Sequence, residues 1–285
     1  MKSMMKRNTF REIKKSFGRY FAILAIIALG VAFFSGLKIT QSVMVHSADV
    51  YLKDLQFYDY RLVSTLGFTE ENVEALAEKE DVRAAEGAIS AEVLYKDAGE
   101  NERVIKMHSI TEKVNKLKLV AGEMPQSADE CVVDSVLFSE DAIGSKLVLS
   151  ENNTTDDLDK FAYKEYTITG LVQSPCYIQF ERGNTSIGNG RISGFAYILK
   201  DGFAVDYDTE IYIKFDEDYD IYSDEYDSYM DAKEADWEAY TKEQADIRYE
   251  KIVKDAQDEL DEKKEELEEK RAEAEAELES AKQQL

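Results

Sequence analysis

YFAILAIIALGVAFFSGL, from Tyr20 to Leu37, is a run of eighteen uncharged residues between Arg19 and Lys38. At 1.5 Å of rise per residue, an apolar run of about 18 or more covers a hydrocarbon core of roughly 30 Å. The stretch therefore reads as a transmembrane helix whose apolar surface is Tyr20, Phe21, Ile23, Leu24, Ile26, Ile27, Leu29, Val31, Phe33, Phe34 and Leu37. Tyr20 suits the interfacial depth.

Residues 1–19 hold Lys2, Lys6, Arg7, Arg11, Lys14, Lys15 and Arg19 against Glu12 alone, a net +6, and the rest of the chain carries −30. By the positive-inside rule this basic cluster keeps the N-terminus in the cytoplasm and sends the acidic remainder across the membrane. A cleaved signal peptide also begins basic and then apolar, but its apolar region is shorter, ~7–15 residues, and an A-x-A-like site follows. No A-x-A follows this run. Phe10, Ile13 and Phe17 share one helical face upstream of it, and the segment is either an interfacial helix on anionic lipid or a flank whose charges only set topology. Beyond Lys38, residues 38–56 contain no Gly or Pro, so the helix is expected to continue outward as a stalk.

The formal charge of −24 excludes a nucleic-acid binder, because a phosphate backbone needs a Lys/Arg surface that this chain lacks after its first residues. An apolar share of 44% with 17 Tyr and 13 Phe is enough to build a core, and 2 Pro and 14 Gly leave long elements uninterrupted. Tyr58 to Thr65 alternates like a strand, Leu66-Gly67 turns, and Thr69 can cap a short helix. Further strands are expected at 83–95, 103–110, 117–120, 131–134, 146–149, 163–172, 195–199 and 210–215. Many short strands with few helices predict an α+β domain over 57–221, followed by a long helix over 222–285.

That helix is rich in Ala, Glu, Lys, Asp and Gln, a strong helix-forming mixture. Ala256, Leu260, Lys263, Leu267, Arg271, Ala274, Leu278, Ala281 and Leu285 follow a heptad spacing with one four-residue stutter. Tyr226, Tyr229, Trp237 and Tyr240 could extend this seam upstream. Ala, Lys and Arg make the seam thin, so a partner helix is needed; the alternative is a solvated single helix held by i,i+4 Glu–Lys pairs worth about 0.2–0.5 kcal/mol each.

No catalytic constellation, cofactor motif or metal-ligand spacing is present. His46 and His108 are far apart, and the loop GNTSIGNG (183–190) has Asn189 where a phosphate-binding loop requires Lys. Asp216, Asp218 and Asp220 alternate as at the start of an EF-hand, yet Ile221 stands where the sharp turn needs Gly. Cys131 and Cys176 would lie where a disulfide can persist, or equally stay buried and reduced.

The order of Leu119, Gly122, Pro125, Glu130, Ile143, Gly144, Leu147, Gly170, Leu171, Val172, Ser174 and Pro175 resembles the extracytoplasmic core domain of FtsX-like and MacB-like permeases, the type VII ABC transporters. YDYRLVSTLGFT and YIQFERGNTSIGNGRIS are similar to a subgroup with an inserted coiled coil. The resemblance implies a non-enzymatic permease subunit in the plasma membrane that works with a separate ABC ATPase chain. Its partners would be membrane lipid, a second permease copy or partner helix for the coil, and an extracytoplasmic protein or peptide. Such permeases carry further membrane helices after the outer domain, so the sequence is expected to be either the N-terminal part of one, with Leu285 near the middle of a coiled hairpin, or a natural half-protein. A membrane-anchored adaptor or scaffold with a coiled coil is the competing reading.

Overall fold

The computed structural model describes residues 2–97, 99–217 and 219–283. It forms two units, Met1–Asp54 with Asp220–Tyr222, and Leu55–Tyr219 with Ser223–Leu285.

The first unit contains α1 (Lys2–Lys15) and α2 (Phe17–Asp54), separated by a turn at Ser16. Ser16 N–H still donates to Glu12, but Arg19 N–H returns to the Ser16 carbonyl at 3.0 Å, so a new helix starts there. Phe17 thus belongs to α2 rather than to the basic helix. The 38 residues of α2 run about 57 Å without a break, roughly twice the hydrocarbon thickness. Every span residue named above lies exposed, as a lipid-facing surface requires. Past the apolar run, Thr40 donates its hydroxyl to the Gly36 carbonyl at 2.8 Å, so this polar side chain is satisfied within the helix.

The second unit is mixed α+β. Its strands are β1 (Tyr60–Phe68), β2 (Val82–Ala88), β3 (Ser90–Lys96), β4 (Glu102–Ser109), β5 (Lys118–Gly122), β6 (Glu130–Asp134), β7 (Lys146–Leu149), β8 (Glu165–Gln173), β9 (Ile192–Ile198) and β10 (Asp208–Phe215). Its helices are α3 (Glu70–Ala77), α4 (Thr155–Leu158) and α5 (Asp224–Gln283). The single strand expected over 83–95 is two, broken at Ile89. Glu86 pairs with Tyr212 in one sheet while Ala91 pairs with Met107 in another, so Ile89 is where the chain changes sheets.

The larger sheet runs β5-β8-β6-β9-β4-β3-β7, and β7 pairs again with β8. That extra pairing closes a small barrel, with β5 extending β8 outside it. Alternation along each strand sends one set of side chains inward: Val93, Tyr95, Ile105, Met107, Val133, Tyr166, Ile168 and Ile198 fill the interior. The opposite set, Val132, Val172, Phe195 and Tyr197, packs outside beneath Leu117, Met124 and Tyr177.

The smaller sheet is β1-β10-β2, antiparallel throughout. Leu62, Ile211, Ile213 and Phe215 on one face pack against Leu76 of α3 and Trp237 of α5. Carboxylates join the two sheets. Glu86 accepts the N–H groups of Glu112, Lys113 and Val114 at 2.7, 2.8 and 3.1 Å, and Glu210 accepts the Ser90 hydroxyl at 2.6 Å.

Candidate functional site: the stalk junction and the long helix

The last turns of α2 gather three charged side chains. Asp49, almost wholly buried, accepts the Ile221 N–H at 3.0 Å. Lys53, one turn on, reaches Asp49 at 3.0 Å and Asp220 at 2.7 Å. The hydrogen bond to Asp220 is the main cause that raises the Lys53 pKa, and Lys53 in turn holds Asp220 below the usual carboxylate range. Both ends of the pair are therefore charged at neutral pH. Asp220–Tyr222 is the segment that precedes α5 in the chain.

A second tie follows directly on the helix end. Gln56 takes the left-handed conformation, φ +52°, which stops the helix. The carbonyls of Leu55 and Gln56 then accept N–H groups of Lys116 and Asn115 at 2.8 and 2.9 Å. Asn115 Oδ1 accepts from Tyr58 N–H at 3.1 Å. Leu55 and Gln56 are thus bound into the same 110–117 loop that Glu86 anchors.

Inside the second unit, His108 is buried, stacks on Tyr197 at 5.0 Å and meets the Tyr177 hydroxyl through Nε2 at 2.6 Å. Burial pushes its pKa down to about 3, so the ring is neutral. Arg182 forms a bidentate pair with Asp134 at 2.7 and 3.0 Å, both side chains buried, and donates to the Tyr177 and Gln179 carbonyls. These contacts fix a framework; none has the layout of a nucleophile with its base.

The first turns of α5 belong to the domain core. Trp237 packs on Phe215 and Tyr60 at 5.4 and 5.8 Å, Tyr229 packs on Phe215 at 5.9 Å, and Lys79 sits 3.9 Å over the Tyr240 ring. Tyr229 and Trp237 turn their rings to β-strand residues, and Tyr240 packs on Trp237 beneath Lys79, so these rings are committed to the domain. Tyr226 donates its hydroxyl to Asp59 and is likewise committed to the domain. Beyond them Ala256, Leu260, Lys263 and Leu267 share one exposed face of the helix, with Leu260 and Leu267 49% and 67% exposed. Arg271 and Ala274 are exposed farther along. Leu285 lies outside the described residues, as do the side chains of Leu278, Ala281 and, in α1, Lys6 and Ile13. Arg7, Arg11, Lys14 and Lys15 are exposed on α1 and Arg19 at the start of α2.

Cys131 and Cys176 are free thiols. Cys131 points into the barrel interior, whereas Cys176 follows Ser174 in a 3-10 turn beside Tyr197, on the outer face. Cys131 belongs to the interior cluster and Cys176 does not, and the two are not bonded to each other in this structure. Burial raises both thiols, Cys176 to about 11.

The Gly-rich loop folds back on β3 through a Thr185–Glu92 hydrogen bond of 2.6 Å. Asp216 turns to Arg83 and Asp220 to Lys53, while Asp218 lies outside the described residues. Among the described residues no cluster of His, Cys, Asp and Glu could hold a metal ion. The junction Asp49–Lys53–Asp220 is what sequence reasoning missed. The i,i+4 spacing of Asp49 and Lys53 was visible, but a partner 167 residues away was not.

No family model and no curated protein matches this chain. Among solved structures, it is similar to the extracellular domain of YknZ, a noncanonical ABC-type transporter from Gram-positive bacteria. The identity is 12%, with 54% of this chain and 76% of that one covered, at a TM-score of 0.36. It is also similar to the periplasmic region of MacB from Actinobacillus actinomycetemcomitans, at 13% identity, with 56% and 69% covered and a TM-score of 0.36. These are the kinds of region that the residue order from Leu119 to Pro175 resembles. At such scores the likeness carries no functional argument.

Proposed function

We propose that this chain is the N-terminal portion of a permease subunit of an FtsX/MacB-type ABC transporter. In this reading a separate ATPase chain hydrolyses ATP on the cytoplasmic side, and α2 carries the resulting motion to the extracytoplasmic domain for export or cell-envelope regulation. The observation that carries the reading is mechanical. One unbroken helix of about 57 Å is bonded by Asp49 and Lys53 to the connector that opens α5, and it continues into a backbone pinned at Leu55 and Gln56. A tether that only anchored a domain would need neither tie. The basic cluster before the span supports a cytoplasmic N-terminus. The exposed Leu260–Leu267 face supports a second helix lying along α5.

Purification of the full chain from native membranes in mild detergent tests the reading. An ABC ATPase with Walker motifs is expected to co-purify in near-equal amount. Recovery of a folded chain with no ATPase would instead favour the membrane-anchored scaffold.

A further inference from the structure

A cavity of about 220 Å³ opens between β1, α3 and α5, walled by Leu62, Leu66, Phe68, Tyr240 and Ala245 with Arg248 beside them. For scale, an engineered apolar cavity of ~150 Å³ admits a benzene ring. The chain holds 59 acidic residues, yet the lining of this cavity includes none. Its two charged residues are Arg61 and Arg248. Arg61 lies 3.8 Å from the Glu210 carboxylate and is answered there. Arg248 differs: its Nε–H is buried and has no hydrogen-bond acceptor among the described residues.

The surrounding helix shows how unusual that is. Lys263, Lys264 and Lys270 of α5 each pair with an acidic residue one turn away. One turn from Arg248 in either direction stand Gln244, Ala245, Lys251 and Ile252, so the helix offers it no carboxylate. A buried donor of a cationic group without a partner costs more than a satisfied one contributes, so an acceptor from outside would be strongly held.

The wall opposite α5 is β1, the edge of its sheet. Between Tyr60 and Val63 it is regularly paired with β10 on one side, and alternate backbone groups point away on the other. Val63 and Leu66 are 60% and 41% exposed along this edge. A strand laid beside it would send every second side chain toward α5, over the cavity.

We infer that this groove binds an extended peptide segment of a partner protein, added as a fourth strand to β1, with an apolar side chain in the cavity and a carboxylate on Arg248. The backbone edge supplies affinity, and the cavity and Arg248 supply selectivity, as in other cases of strand addition. The carboxylate can be an Asp or Glu side chain or a chain terminus.

The inference is tested by screening a displayed library of octapeptides with alternating apolar and polar residues against the full chain in detergent, then measuring the selected peptides by fluorescence anisotropy. Selected peptides are expected to carry a carboxylate two residues from an apolar one. Their affinity should fall about 10-fold or more with Arg248→Leu. N-methylation of alternate peptide amides and the cavity-filling Ala245→Trp should each abolish binding. Circular dichroism of both protein variants checks that the fold is kept. Asp→Asn changes and C-terminal amidation in the peptide identify which carboxylate is used. Equal binding to Arg248→Leu, selection of helical peptides insensitive to N-methylation, or no enrichment over Ala245→Trp would each overturn it. The result does not depend on an ATPase, so it can fail while the permease reading stands.

Discussion

Three glycines show what the residue order of the resemblance means physically. Gly122 has φ +76° and faces Gly170 across the β5–β8 pair, where a Cβ on Gly122 would lie 2.2 Å from the Thr169 carbonyl and one on Gly170 would lie 2.7 Å from the Glu123 carbonyl. Gly144 adopts φ +88° and donates its N–H to Ile168 at 2.8 Å. Glu130 closes the preceding loop by accepting from Gln126 and Ser127 at 2.6 and 3.2 Å. The pattern therefore encodes turns and close strand contacts, not a reactive site. Gly122→Ala is expected to lower unfolding stability by about 2–3 kcal/mol in urea titrations, from backbone strain and the carbonyl clash together. His108 gives a second prediction. Its folded pKa of about 3 lies below the ordinary value of 6.5, so between these values the unfolded chain binds the extra proton. Stability present above pH 6.5 is then lost as pH falls, by up to ~1.4 kcal/mol per unit, until about pH 3. His108→Gln removes this contribution, and the difference between the two pH profiles over pH 4–6 measures it.

At the scale of elements, α5 performs two tasks along one helix. Up to Tyr240 it closes the core of the small sheet; beyond Ala256 it leaves Leu260 and Leu267 exposed. Trp237→Ala is expected to cost ~3–5 kcal/mol in the unfolding of the domain. Leu260→Glu and Leu267→Glu, both at exposed sites, should change domain stability by less than ~0.5 kcal/mol while abolishing helix pairing in cysteine cross-linking along the seam. The sequence alone told helix from strand well here, because Ala-Glu-Lys composition and β-branched alternation are local signals. It did not tell which residues of the helix serve the domain: Tyr229 and Trp237 suit a seam by spacing, and only the positions of Phe215 and Tyr60, brought by β10 and β1, decide the matter. The expected strand over 83–95 failed for a related reason. Its β-propensity continues through Ile89, and the change of sheet there is fixed by partners far along the chain.

For the molecule as a whole, the legible part was the kind of structure each stretch forms: a long N-terminal helix holding the apolar run, a mixed α+β region and a long C-terminal helix, each set by composition over many residues. The illegible part was the junction, since Asp49 and Lys53 gain their meaning from Asp220 and Ile221 after the whole domain has intervened. Asp220 is exposed and its pair with Lys53 is screened by solvent, so its removal should uncouple more than it unfolds. The direct measurement is single-molecule energy transfer between dyes at Gln41 on α2 and Glu265 on α5, in the chain reconstituted into liposomes with its co-purified ATPase. The distance distribution should shift between the nucleotide-free and ATP-bound states, and the shift should shrink in the Lys53→Met, Asp220→Ala double variant. Identical distributions in both nucleotide states, with the ATPase bound and active, would contradict transmission of force through the stalk.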